Sequence, residues 1–319
     1  MCLSNCAVGA PLAGQPGGTP LSQVFPGAEF HAAPSYAPVP SPAAPLALSL
    51  PAPPVQAVAQ APEARVPEKP STGFTKEQKA VMLNVGVAAA VAAYGMGFWD
   101  YFQTAPKASS EGWFGRTTDD GGMDKLGHFW MTYSVSHLYS YLYRWWDFSP
   151  GEANALGALS GLGIQTAMEL GDAFSGGYGF SYEDAIMNTV GAGAAYILGR
   201  YPSIARKIDF RMEYKPGSLG DLTDDILTDY ENQRYLIALK LDGFDTFHDS
   251  YLSYLELHAG YQARGYEDFS PGGEDDRRRS LYFGVGFNVS KLVRQYTDIG
   301  VFDYLQVPYT SVGVTSGLD

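Results

Sequence analysis

The sequence predicts an α+β protein, in which a four-helix membrane-associated bundle is followed by a small antiparallel β-sheet region. Three observations support this fold class. Residues 1–72 hold 15 of the 21 prolines, which indicates a disordered Pro/Ala-rich segment. Apolar segments with helical start signals then continue to about residue 208. From residue 209 onward, apolar and polar residues alternate with a period of two, which is typical of strands. The predicted domains are therefore 1–72, 73–208 and 209–319.

The N-terminal segment shows neither a helical nor a strand period. Proline lacks a backbone donor and disfavours helix in its neighbours, so we expect a disordered or extended linker. Both cysteines, Cys2 and Cys6, lie here, so the folded core is expected to contain no disulfide. The letters "LSNC" loosely resemble a lipoprotein cleavage site, although no charged and apolar signal regions precede them. Lipidation of Cys2 or Cys6 and the position of the true start codon stay open.

The overall composition favours an envelope protein. The net charge is −13, which argues against nucleic acid as a partner because phosphate binding needs a basic surface. Only 17% of the residues are charged and 14% are aromatic, a combination that suits a membrane or envelope protein better than a cytosolic enzyme.

The first predicted helix is the apolar stretch from Lys79 to Phe102. Its apolar middle has one polar residue, Asn84, and it is long enough to cross a hydrocarbon core of roughly 30 Å. Lys76 and Lys79 at one end and Trp99, Tyr101 and Phe102 at the other are typical of membrane interfaces. The alternative is a buried helix in a soluble bundle.

Three further helices follow. The second begins after Asp124 and ends at Trp146, and the third begins with Ser149 as its N-cap. Small residues around Gly157 and Gly161 predict close helix contact in the third. The fourth begins at "SYED" and ends near residue 201. Basic residues flank the four helices on both sides, which predicts an even number of spans. The second and third helices are weakly apolar and can instead belong to a periplasmic bundle against the membrane.

Apolar and polar residues alternate in two long segments of the C-terminal region. Leu255, Leu257, Ala259 and Tyr261 occupy one face of a predicted strand, and Glu256 and His258 are among the residues on the other. A second segment places Phe283, Val285, Phe287 and Val289 on one face. We expect an antiparallel sheet, with "YLIALKL" as a further short strand. The acidic stretch 221–231 is expected to be a solvated linker, because it lacks the ligand order of a calcium loop.

Three polar pairs carry the candidate chemistry. Asp124 and His128 share one helix face, as do Asp184 and Asn188, and Glu169 and Asp172 lie near the end of the third helix. Antiparallel packing of neighbouring helices would bring all three pairs to one end of the bundle. The candidate catalytic set is Asp124, His128, Glu169, Asp172, Asp184 and Asn188.

Energetics limit the environment of these groups. An ionised side chain at the bilayer centre costs roughly 2.5–3.5 kcal/mol, so the groups must pair, face water or bind a cation. Oxygen and imidazole ligands suit a divalent metal, and we expect His128, Glu169 and Asp172 to hold it. The same groups can act as acid and base. The alternative is structural: caps, helix-dipole interactions and a clasp made by Lys125. His137, His248 and His258 are expected to be ordinary polar positions.

Three motifs carry a family resemblance: "EGWFGR…GGMDKLGHFWMTY", "TAMELGDAFSGGYGFSYEDAIMNTVGA" and "DYENQRYLIALKL…YLELHAGYQARGYE". The chain resembles the YfiM-like family of bacterial proteins of unknown function, described as predicted periplasmic lipoproteins, from about residue 74 to 292. The helical core is similar over fewer residues to VanZ-like membrane proteins. The resemblance implies a protein of the Gram-negative cell envelope.

Two functions remain open at this point. One is an envelope enzyme that uses a divalent metal to hydrolyse a lipid-linked or cell-wall substrate. The other is a non-catalytic envelope scaffold whose polar cluster locks the helices and whose sheet binds a partner. In both, membrane lipid and other envelope proteins are the expected partners. The location is either the inner membrane, with several spans, or the periplasm at the membrane surface.

Overall fold

The computed structural model describes residues 73–216, 227–267, 269, 274–297 and 300–319. These residues lie in one compact unit, Lys69–Asp319. The predicted disordered segment, both cysteines and most of the acidic stretch 221–231 lie outside the described residues. Helices and sheet together confirm a mixed α+β fold.

Four long helices form the first half of the described chain. Their bounds are α1 Lys76–Phe98, α2 Met123–Trp145, α3 Pro150–Ala173 and α4 Tyr182–Arg200. A two-residue strand, β1 (Ala108–Ser109), pairs in parallel with β2 (Phe180–Ser181). The short helices are α5 Pro202–Ala205, α6 Asp245–His248 and α7 Val289–Arg294.

The predicted helix starts are confirmed where capping residues occur. Ser149 caps α3 in a full capping box with Glu152, and the Ser181 hydroxyl accepts a hydrogen bond from the Asp184 N–H at the start of α4. Thr75 caps α1, which begins at Lys76, three residues before the predicted start at Lys79.

A six-stranded sheet follows the helices. Its strands are β3 Ile208–Tyr214, β4 Gln233–Lys240, β5 Leu255–Arg264, β6 Arg278–Phe287, β7 Leu305–Gln306 and β8 Ser311–Gly317. The order is β7-β3-β4-β5-β6-β8. Neighbours are antiparallel except β3 and β7, which are parallel. The expectation of a purely antiparallel sheet was therefore wrong at this edge.

Helix α2 joins the bundle to the sheet. It contacts α3 and α4 on one side, and Met123 and Trp130 pack against Met212 and Tyr235 of the sheet on the other. The Trp130 indole donates a hydrogen bond to the Tyr304 carbonyl at 2.9 Å. Because α2 is wedged between two layers, the positions of its side chains are fixed from both sides.

Glycines allow the helices to approach closely. A Cβ on Gly157 would lie 2.1 Å from the Ser140 hydroxyl oxygen, and one on Gly161 would lie 2.2 Å from the Ser136 hydroxyl oxygen. A Cβ on Gly191 of α4 would lie 2.3 Å from a backbone oxygen of α2. The predicted small-residue face of α3 is therefore confirmed.

The sheet has an unusual distribution of polarity. Its polar face is buried: Glu256 and His258, facing Arg211 of β3, are nearly inaccessible to solvent. Part of the apolar face packs against α2, but Leu257 and Phe283 are about half exposed. The expectation that His258 is an ordinary polar position was wrong, because its Nε2 lies 2.9 Å from Glu256 Oε1.

Two further expectations need correction. Val289 lies in α7, because Asn288 caps a helix there and ends the strand alternation. Within the described residues, α1 alone is long and apolar enough to cross a membrane. The expectation of several spans is therefore not supported, since α2 to α4 carry too many polar residues.

Replacing Gly157 by alanine is expected to destabilise the protein by about 1–3 kcal/mol, because the new methyl would overlap Ser140. Gly163→Ala in the same helix is the matched control, since nothing lies within 4 Å of that position. The control is expected to gain up to about 1 kcal/mol from helix propensity. Denaturant unfolding measures both, and equal effects would contradict the close packing.

Candidate functional site

A cavity of about 420 Å³ lies at the end of the bundle where α2 and α4 begin and α3 ends. Five of the six predicted catalytic residues line it: Asp124, His128, Glu169, Asp172 and Asp184. The sixth, Asn188, is buried behind the wall. The three polar pairs therefore meet at one end of the bundle, because α2 and α4 begin where α3 ends.

Local backbone geometry places the side chains at this end. Gly122 has a φ of 86°, a left-handed conformation that suits glycine, and α2 begins directly after it. Asp124 and Asp184 lie in the first turns of α2 and α4, where the helix dipole favours negative charge.

Lys125 is the fully buried cation of the site. Its Nζ lies 2.5 Å from Glu111 Oε2, 2.6 Å from Asp124 Oδ2 and 2.9 Å from Asp184 Oδ1. Three carboxylates thus surround one ammonium group, which has three N–H donors. The clasp predicted for Lys125 is present as an ion-pair cluster.

His128 lies between two buried carboxylates. Its Nδ1 is 3.3 Å from Glu169 Oε1, and its Nε2 is 3.7 Å from Asp184 Oδ2. Within the described part of the chain, the buried Nδ1 makes no hydrogen bond. One ligand atom from each of the three residues lies within 4.8 Å of the other two, a spacing that suits one metal ion.

Asn188 positions Glu169. Its Nδ2 donates to Glu169 Oε1 at 3.5 Å, and its Oδ1 accepts a hydrogen bond from the Thr132 hydroxyl at 2.8 Å. Asn188 therefore orients a carboxylate from behind, while its own side chain does not line the cavity.

Asp172 lies apart from the predicted metal group. Both compact groups of ligand atoms found among the described residues omit it; one is His128, Glu169 and Asp184, and the other is Glu111, Asp124 and Asp184. Asp172 instead interacts with the Tyr101 hydroxyl. In the structure, Asp184 thus occupies the position beside His128 and Glu169 that the sequence interpretation assigned to Asp172.

The geometry can now be compared with known proteins. Residues 110–200 match a family model described as "Predicted periplasmic lipoprotein (DUF2279)". This segment is similar to that family. The match confirms the resemblance seen in the sequence motifs, and the description supports a periplasmic location in the cell envelope. No curated protein and no solved structure matches the chain.

The family segment contains the whole ionisable cluster. It extends from just before Glu111 to the end of α4, so it includes Asp124, His128, Glu169 and Asp184. The six-stranded sheet lies outside it. The segment common to the family is therefore the part of the chain that forms the polar end of the bundle.

Three cavity carboxylates were missed in the sequence interpretation. Glu111, Asp119 and Asp120 all line the cavity, but they lie in the loop between α1 and α2, where no helical spacing links them to the other groups. The motif "EGWFGR" contains Glu111 and was the available signal. Tyr230, from the sheet side, also lines the cavity. Its ring is close to Gly127 of α2, where an added Cβ would lie 3.1 Å from it.

Burial raises the pKa values of several cavity carboxyl groups. Desolvation, reinforced by neighbouring acids, raises the pKa of Glu169 to about 8 and that of Asp120 to about 7. Desolvation also raises the pKa of Asp172 to about 6. It lowers the pKa of His128, so that imidazole is neutral near pH 7 and available as a ligand.

Glu111 and Asp184 titrate as a pair. Desolvation and a hydrogen bond that protonated Asp184 donates to Glu111 raise the pKa of Asp184 to about 7. For Glu111, desolvation acts in the same direction, but hydrogen bonds from Lys125 and Asp184 outweigh it and lower the pKa. The two carboxyl groups therefore hold one proton near pH 7. A cation that takes the place of this proton would be stabilised by both carboxylates.

Without metal, stability is expected to fall as the pH rises from about 6.5 to about 8. The folded-state pKa values of Glu169 and Asp184 are about 8 and about 7, above their ordinary values of 4.5 and 3.8. The folded protein therefore binds more protons than the unfolded chain in this range. His128 is largely neutral in both states above its ordinary pKa of 6.5, so its lowered pKa opposes the trend only near the start of the range.

The free energy of unfolding in the presence of a chelator measures this effect. We expect a loss on the order of a few kcal/mol across the range, and a flatter profile for Glu169→Gln. A stability that is constant or rises between these pH values would contradict the raised pKa values.

Proposed function

We propose that this envelope protein binds a divalent cation through His128, Glu169 and Asp184 and uses it to hydrolyse a lipid-linked or cell-wall substrate. The observation that carries the proposal is the approach of these three ligand groups to within 4.8 Å at the wall of an accessible cavity. Oxygen ligands with one neutral imidazole suit a divalent metal ion.

The charge balance supports a cation. Seven carboxyl groups line the cavity: Glu111, Asp119, Asp120, Asp124, Glu169, Asp172 and Asp184. Lys125 is the one lysine or arginine side chain that the described structure pairs with any of them. A buried excess of negative charge is costly, and either protons or a metal ion reduces that cost.

The remaining residues supply acid–base groups. A bound divalent cation acts as a Lewis acid and lowers the pKa of water. In hydrolysis, the oxygen of water bonds to the electrophilic centre and the bond to the leaving group breaks. Asp172, with a pKa of about 6, accepts the proton from water. Asp120, with a pKa of about 7, donates a proton to the leaving group.

The position of the cavity favours a substrate at the membrane surface. Trp99, the residue after α1, lines the cavity, so one end of the apolar helix is adjacent to the site. Val81 and Val85 of α1 are more than 60% exposed, and a bilayer would cover them. A helix that inserts in this way would leave the cavity near the interface, where Trp is common.

The alternative is a non-catalytic scaffold in which the polar cluster closes the bundle. The buried Lys125 cluster favours this reading, because its three ion pairs connect the loop before α2 with α2 and α4. Metal binding distinguishes the two functions, since a closed clasp needs no further cation.

The purified chain is expected to bind one Mn²⁺ per molecule, and His128→Ala is expected to weaken this binding at least about tenfold. Equilibrium dialysis against Mn²⁺ measures the stoichiometry and affinity. His248→Ala is the matched control, because His248 is exposed and outside the cavity. No Mn²⁺ binding by the wild type, or equal binding by both variants, would favour the scaffold.

Val85→Glu is expected to release the protein from lipid vesicles, because a charge in the bilayer costs roughly 2.5–3.5 kcal/mol. Vesicle flotation measures the bound fraction, with Val85→Leu as the control of similar polarity. If both variants float as the wild type does, α1 is not the membrane contact.

A further inference from the structure

The position of Lys125 carries an inference that rests on the proposed metal site and adds to it. We propose that the Lys125 ammonium is the second cation of a two-cation site: it occupies the position of a second metal ion and so limits the cavity to one divalent ion. Lys125 is then a positioning residue, which acts through the carboxylate that it shares with the metal.

The first argument is that two cation positions share one carboxylate. Asp184 belongs both to the group with His128 and Glu169 and to the group with Glu111 and Asp124. In two-metal sites a distance of about 3.5–4 Å separates the ions, and shared oxygen ligands can span it. Both Asp184 oxygens lie close to Lys125 Nζ, Oδ1 at 2.9 Å and Oδ2 at 3.0 Å, and Oδ2 also lies 3.7 Å from His128 Nε2. Asp184 therefore faces both positions.

The second argument is that the ammonium occupies the centre of one group. Its contacts with Glu111, Asp124 and Asp184 measure 2.5 Å, 2.6 Å and 2.9 Å. These three residues are also the complete second group of possible metal ligands. The Lys125 side chain is fully buried, so water does not replace it at this position.

The third argument is that the first group has no such cation. No lysine or arginine in the described ranges forms an ion pair with Glu169, and the buried Nδ1 of His128 lacks a hydrogen bond within them. The unfilled ligand capacity thus lies on the side of His128 and Glu169.

The test compares three forms of the full chain. Lys125→Met keeps the length of the side chain and removes its charge, whereas Lys125→Arg keeps the charge. With excess Mn²⁺, we expect one bound ion in the wild type and in Lys125→Arg, and two in Lys125→Met. Two ions at this separation also produce a spin-coupled electron paramagnetic resonance spectrum, which a single Mn²⁺ does not.

The outcomes separate this inference from the proposed function. One ion in both the wild type and Lys125→Met overturns the two-cation inference and leaves the metal site intact. No ion in either form overturns the metal site itself. No ion in the wild type but one in Lys125→Met overturns both, because the ammonium then fills the only cation position.

Folding of Lys125→Met provides a second measurement. Buried Asp184 and the partly buried Glu111 and Asp124 lose their counter-charge in this variant. We therefore expect it to be unstable in chelator and to regain helical circular dichroism when Mn²⁺ is added. If the variant stays unfolded with excess Mn²⁺, a metal ion does not replace the ammonium and the inference fails.

Discussion

The buried ammonium of Lys125 is the interaction on which the polar end of the molecule depends. It joins the loop residue Glu111 to the first turns of α2 and α4. Without it, three carboxylates would face one another in a region from which water is largely excluded. Removing one partner of a buried ion pair typically costs several kcal/mol, because the charges left behind have no compensation. The cluster therefore fixes the relative positions of the helix ends that form the cavity.

The packing of the bundle makes this arrangement possible. Helix α2 is wedged between the other helices and the sheet, and glycines of α3 and α4 allow its backbone to come close. Asn84 of α1 donates a hydrogen bond to the Tyr143 hydroxyl at 2.6 Å, which attaches the apolar helix to the same bundle. Because these contacts are short and specific, the cavity groups lie on rigid elements, with Glu111 as the loop contribution.

The sequence allowed prediction of the elements with strong local signals. Capping residues marked the starts of α3 and α4, and spacings of three and four residues placed the polar pairs on helix faces. Antiparallel neighbours then required these pairs to meet at one end. Glu111 was not predicted because its position depends on a tertiary contact with Lys125 rather than on any periodicity.

The sheet shows the same limit of periodicity. The pattern of β5 revealed two faces but not which one is buried, because ion pairs between Arg211 and Glu256 make the polar face the inner one. Val289 continued the strand pattern by coincidence, and the cap at Asn288 overrode it.

The central claim is that the cavity holds a divalent cation between His128, Glu169 and Asp184, beside the ammonium of Lys125. An anomalous difference map from crystals of the full chain grown with Mn²⁺ tests it most directly. We predict one peak within about 2.0–2.3 Å of a ring nitrogen of His128 and of carboxylate oxygens of Glu169 and Asp184. A map with no peak in the cavity, or with a peak bound by other residues, would contradict the account.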